Sequence, residues 1–150
     1  MRPRSVEELR HRLKLKKHPA ASIEPVIELL KKQGLLNDEK FAKLFAGSLV
    51  HSKPVGRRQI ERDLKKKGVS SAVIQDTLSN FKDYDEREAA RKLVENRFRR
   101  MSGLTAEKKK TRLFGFLKRR GFSNEAIFSA LSSLMKEEAL PERFESNESR

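Results

Sequence analysis

Two runs of cations have the residue types and spacing for chemistry. The first is Arg57, Arg58, Arg62, Lys65, Lys66 and Lys67; the second is Lys108, Lys109, Lys110, Arg112, Lys118, Arg119 and Arg120, with no acid between Lys108 and Arg120. Guanidinium and ammonium groups neutralise phosphates, and phosphate contacts hold a nucleic-acid backbone without reading its bases. Ile60 and Leu64 in the first run, and Leu113, Phe114, Phe116 and Leu117 in the second, fall at inward helical positions. The cations therefore project from the body. A charged helix face is also ordinary solvated surface, and lysine suits the last helical turn, where it opposes the helix dipole. Two equivalent runs and a net charge of +14 favour a polyanion-binding face over plain solvation.

Both runs end in a unit that is written twice. Leu64-Lys65-Lys66-Lys67-Gly68-Val69-Ser70 recurs 53 residues later (117 − 64) as Leu117-Lys118-Arg119-Arg120-Gly121-Phe122-Ser123, and Ile74 and Leu78 recur as Ile127 and Leu131. Each copy reads as a helix end, a glycine turn and a new helix. The glycine accepts the left-handed conformation just past a helix end. Ser70 or Ser71, and Ser123, are placed to cap the following helix. A fainter copy lies 51 residues upstream of the first (64 − 13): Leu13, Ile23, Ile27 and Leu30 keep the apolar positions, but Lys17 stands in place of the glycine. Such a period marks an array of helical units that bury their apolar faces on one another.

In chain order, Ser5 and Glu8 fit a capping box ahead of a helix carrying Val6, Leu9 and Leu13. A second helix is predicted over about residues 22–33, with Ile23, Val26, Ile27 and Leu30 inward. Pro25 fits its first turn if Ser22 is the cap, and otherwise kinks it. Asn37 caps a helix with Phe41, Ala42, Phe45, Ala46 and Leu49 inward, and breakers cluster over residues 51–56. The basic helix Arg57–Lys67 follows, then a helix with Val73, Ile74, Leu78 and Phe81. Residues 82–85 form a connector. Residues 86–100 read as a long helix with Ala89, Ala90, Leu93, Val94 and Phe98 inward. Thr105 caps the second basic helix, and Ala126, Ile127, Ala130, Leu131 and Leu134 line the last. No stretch alternates with period two, so no sheet is expected. The fold class is all-α: about two complete three-helix repeats preceded by a partial first repeat, in an elongated array. The boundaries are 1–36 for the partial repeat, 37–82 and 83–136 for the complete ones, and 137–150 for a flexible charged tail.

Other chemistries have little to stand on. The chain has no cysteine, hence no disulfide or thiolate metal site. His11, His18 and His51 lie on separate segments without metal-ligand spacing. Gly56-Arg57-Arg58 lacks the frame of a phosphate loop. No catalytic residue, metal or cofactor is expected. Neither a membrane span nor a signal peptide is expected, which points to a cytoplasmic protein. Helix, glycine turn, helix also has the outline of a helix-turn-helix. The helix after Gly68 would present Gln75, Asp76, Thr77 and Ser79, and the one after Gly121 would present Asn124, Glu125, Ser129 and Ser132. Both are poor surfaces for reading bases. The phenylalanines fall mostly at core spacing, so they read as packing residues and not as stacking platforms. Phe122 lies in a turn, where Val69 in the other copy suggests packing between helices.

Several segments resemble the RecX regulatory family of bacterial recombinase modulators. Arg2-Pro3-Arg4-Ser5 with Glu8-Leu9 and Leu13 is similar to that family's "RPRS..EL...L", and Gly34-Leu35-Leu36-Asn37-Asp38-Glu39-Lys40-Phe41-Ala42 to its "G.LDD..FA". Gly56 to Ile60 followed by Leu64 to Val69 is similar to "G...I...L..KGI". Leu117 to Ser123 with Ile127 is similar to "L.RRGFS...I". Asn37 replaces the first Asp of the family's pair, and Leu49 sits where arginine is common. The resemblance spans about residues 2–135. It implies tandem three-helix repeats, binding along the groove of RecA–DNA filaments, and inhibition of RecA's ATP hydrolysis, strand exchange and coprotease activity. It also implies affinity for single- and double-stranded DNA. In that setting the two cation runs face DNA, and Asp38 and Glu39 are candidates for contact with basic RecA surface, the protein acting as a monomer. A stand-alone nucleic-acid-binding helical protein, and a scaffold for an acidic protein, are the alternative readings of the same basic face.

Overall fold

The computed structural model describes residues 2–81 and 84–139. Ser5 closes the expected capping box at the head of α1 (Val6–Leu15): its hydroxyl accepts from Glu8 N–H at 3.1 Å, and the Glu8 carboxylate accepts from Ser5 N–H at 3.2 Å. Side-chain caps start four more helices, with Asn37 heading α3 (Asp38–Ser52), Ser70 heading α5 (Ser71–Ser79), Asp85 heading α6 (Glu86–Phe98) and Thr105 heading α7 (Ala106–Arg119). The remaining helices are α2 (Ala20–Lys32), α4 (Arg57–Lys66) and α8 (Asn124–Ala139). Among the described residues every regular element is helical, and Gly34, Gly68 and Gly121 end α2, α4 and α7 with φ of +71°, +77° and +80°.

Contacts divide the chain into two units, residues 1–53 with 57–84 and residues 54–56 with 85–150. In the first, α1 packs on α2 around Ile23, Ile27 and Leu36, with Val6, Leu9, Leu13 and Leu30 against them. There α3 packs mainly on α5 and α4, burying Phe41, Ala42, Ala46, Ile60, Leu64 and Ile74. In the second unit α6 lies along α8, and α7 closes the core through Leu113 and Leu117. Phe122 is fully buried in that core, and Val69 is buried at the matching turn of the first unit. Both are packing residues, as the repeat suggested.

One joint is made twice, once inside each unit. In the first, the Ser5 hydroxyl donates to the carbonyl of Lys67, the residue before Gly68, at 2.5 Å. In the second, Gly56 N–H donates to the carbonyl of Arg120, the residue before Gly121, at 2.9 Å. A Cβ on Gly56 would fall 2.0 Å from the Gly121 carbonyl oxygen, so only glycine permits this approach.

Departures from the sequence reading include five in helix bounds, caps and faces, besides α3 running through His51 and Ser52, which were expected among the breakers. First, α2 begins at Ala20, because Pro19 at φ −59° and ψ 137° starts the helix a turn early without a side-chain cap. Ser22 is therefore not the cap, and Pro25 lies in the second turn. Pro25 has no N–H, so it cannot donate to the carbonyl of Ala21, an exposed residue. Second, Val26 is 43 % exposed and not inward. Third, Thr77 is 3 % exposed, its hydroxyl donating to Val73 O at 2.7 Å, so it is not presented to a ligand. Fourth, α6 ends at Phe98 and not at residue 100. Fifth, α8 runs to Ala139, into the segment expected as a tail. Residues 140–150 of that tail, and 82–83 of the connector, lie outside the described residues.

Candidate nucleic-acid interface

The α4 helix buries Ile60 and Leu64 at a spacing of four, which fixes the opposite face toward solvent. Arg58, Arg62, Lys65 and Lys66 stand exposed on it. Lys65 pairs with Glu61 one turn back at 2.7 Å, and Arg62 bonds the Gln59 side-chain oxygen at 2.7 Å. No carboxylate of the described residues lies within ion-pair distance of Arg58 or Lys66.

Two residues of the first run face inward instead. Arg57 is half-buried, and its guanidinium donates to the carbonyls of Leu78 at 2.8 Å, Phe81 at 2.9 Å and Tyr84 at 3.4 Å. It thereby satisfies the orphan acceptors at the end of α5 and opposes the negative end of that helix. Lys67 reaches Glu8 at 2.5 Å and lies 5.8 Å from the Phe45 ring centre. Arg57 and Lys67 thus hold the first unit together.

On α7 the inward residues are Leu113 and Leu117, and Lys108, Lys110, Arg112, Lys118 and Arg119 are exposed. No carboxylate of the described residues pairs with Lys108, Lys110, Arg112 or Lys118. Like charges one turn apart, such as Lys108 and Arg112, repel by about 0.2–0.5 kcal/mol in the free helix. A bound polyanion removes that cost. Lys109 lies over Phe98 at 4.5 Å, and Lys118 donates to Asn124 at 2.6 Å. Arg120, matching Lys67 in the repeat, is half-buried over Phe116 at 4.9 Å and reaches the Pro54 carbonyl at 3.5 Å.

Asp38 accepts from Val6 N–H at 2.9 Å, pinning the start of α1, whereas Glu39 is exposed. The neighbouring Glu8 titrates below the usual carboxylate range. Burial pushes it up, but the hydrogen bonds from Lys67 and Ser5 N–H and the charges of Lys67 and Arg2 outweigh that.

The sequence reading passed over Arg97 and Arg100. With Arg112 and Arg119 they line a cleft between α6 and α7 of about 730 Å³, floored partly by Phe116. The run Arg97-Phe98-Arg99-Arg100 was a visible signal. No glycine follows it directly, as Gly68 and Gly121 follow the repeated triplets, so it fell outside the repeated pattern. Among the described residues no group of His, Asp and Glu is placed to hold a metal, and no helix is long and apolar enough to cross a membrane.

Comparison with known proteins gives a consistent family likeness. Residues 37–78 match the family model for the second three-helix domain of RecX, and residues 84–131 that for the third. The chain is similar to the Regulatory protein RecX of Streptomyces coelicolor, 32 % identical over 91 % of this chain and 72 % of the relative. It is also similar to that of Pelodictyon phaeoclathratiforme, 35 % identical over 90 % of this chain and 82 % of the relative. The crystal structure of RecX from Lactobacillus salivarius superposes with a TM-score of 0.79 over 90 % of this chain and 88 % of that one, at 23 % identity, a likeness of fold.

Proposed function

The chain belongs to the RecX family of regulatory proteins, and from that premise we propose that it is a non-catalytic, monomeric cytoplasmic regulator of the RecA recombinase. It binds RecA–DNA filaments and lowers RecA's ATP hydrolysis, strand exchange and coprotease activity. The exposed cations of α4 and α7 face the nucleic acid, single- or double-stranded. Arg57, Lys67 and Arg120 act indirectly, by holding those helices in place.

The observation that carries this reading is the pair of exposed basic faces, Arg58, Arg62, Lys65 and Lys66 on α4 and Lys108, Lys110, Arg112, Lys118 and Arg119 on α7. They occur in two domains of one family, on exposed positions of their helices, and Arg112 and Arg119 also border the α6–α7 cleft. Contacts of this kind go to the phosphate backbone, so binding is weakly selective for sequence. Glu39 remains available for a basic protein surface, whereas Asp38 is held by the start of α1.

The test is a titration of RecA's single-stranded-DNA-dependent ATP hydrolysis at fixed salt. The expected result is inhibition at well below one molecule per RecA protomer, lost in an Arg58→Glu/Lys66→Glu variant. Inhibition only at concentrations that coat the DNA would remove the filament role and leave a general nucleic-acid binder.

A further inference from the structure

The α6–α7 cleft differs in kind from the open faces of α4 and α7. Arg97 and Arg100 lie on one side of it, one turn apart, and Arg112 and Arg119 lie two turns apart on the other. Glu88 and Glu95 of α6 are engaged by Arg91, Glu86 accepts from Ser123, and no carboxylate lines the cleft. Arginine's planar fork grips phosphate oxygens in pairs, which lysine cannot do. Gly115 stands in the wall between Arg112 and Arg119. A Cβ there would meet the Arg119 guanidinium at 3.2 Å, so the glycine gives that side chain its room. Phe116 forms part of the floor, with the Arg97 guanidinium stacked 4.1 Å from its ring centre. Nucleobases stack on such aromatic and guanidinium planes. The volume is that of a small-ligand site. The exposed base of an unpaired nucleotide matches such a cleft in kind, whereas a duplex keeps its bases stacked inside a wide cylinder.

We infer that the α6–α7 cleft is a single-strand-selective subsite, taking one or two unpaired nucleotides with the base on the Arg97–Phe116 platform and the flanking phosphates on Arg100, Arg112 and Arg119. This rests on the reading of the chain as a nucleic-acid-binding regulator and adds a preference that the open basic faces do not supply.

The experiment measures binding of labelled oligothymidine and of a duplex of equal length by fluorescence anisotropy. Three proteins are compared with the unaltered chain: Arg97→Gln/Arg100→Gln, whose residues line the cleft and belong to neither open face, the uncharged cleft-filling Gly115→Leu, and Arg58→Glu/Lys66→Glu on α4. The cleft variants should lose roughly 10- to 100-fold in affinity for the single strand and no more than about threefold for the duplex. The α4 variant should weaken both alike. Circular dichroism melting checks that each variant folds. As an independent readout, Phe116→Trp introduces a lone tryptophan, since the chain has none, and its fluorescence should be quenched by the single strand and not by the duplex. Equal losses for both nucleic acids, or binding unchanged in the cleft variants with no quenching, overturn the subsite while leaving the basic faces intact. Failure of the unaltered chain to bind either nucleic acid overturns the underlying reading as well.

Discussion

Lys67 and Arg120 occupy the third place in the two cation triplets, and both turn inward while their neighbours face solvent. The Lys67 ammonium meets the Glu8 carboxylate, which also caps α1. The same carboxylate thus ties the start of α1 to the glycine turn. Its pKa is depressed in the fold. A depressed carboxylate contributes stability that is present above its unfolded pKa and is lost as pH falls through the folded value. The first unit should therefore weaken as pH falls below the ordinary glutamate value of about 4.3. Glu8→Gln should lower the urea midpoint at pH 7 and flatten the change in midpoint between pH 6 and pH 3. A variant with the same pH profile as the unaltered chain would remove Glu8 from this role.

At the scale of the element, the turn between α1 and α2 is the test of how far the repeat rules the backbone. Lys17 occupies the position of Gly68 and Gly121 and adopts φ +61°, close to their +77° and +80°. Packing of α1 on α2 through Leu9, Leu13, Ile23 and Ile27 holds the turn there although the side chain disfavours it. The left-handed region costs a residue with a Cβ about 1–2 kcal/mol. Lys17→Gly should raise stability by about 1 kcal/mol, the relief of that strain less the extra entropy of glycine in the unfolded chain. Chemical denaturation gives the measurement, and a fall in stability would show that the lysine's own contacts outweigh the strain.

For the whole molecule the governing quantity is the net charge of +14. A surface this basic accelerates encounter with polyanions and makes affinity fall steeply with salt. Each phosphate contact that is lost should lower the slope of log affinity against log salt by about 0.9 on duplex DNA. Lys65→Gln/Lys66→Gln should therefore flatten that slope by about 1.8 on duplex and about 1.4 on single strands. An unchanged slope would take α4 out of the interface.

The sequence alone determined the helices, most of their caps and the repeated glycine turn. Period 3.6, cap chemistry and positive-φ glycines are local properties that propensity and spacing express directly. It also determined that a basic face exists, because charge is additive along the chain. Tertiary structure decided which cations belong to that face. Arg57, Lys67 and Arg120 carry the same charge as their neighbours, and only the carbonyls, carboxylate and ring brought beside them by folding turn them inward. It also decided the α6–α7 cleft. Arg97 and Arg112 are 15 residues apart (112 − 97), and whether they share a cleft depends on how two helices pack, which no local pattern contains.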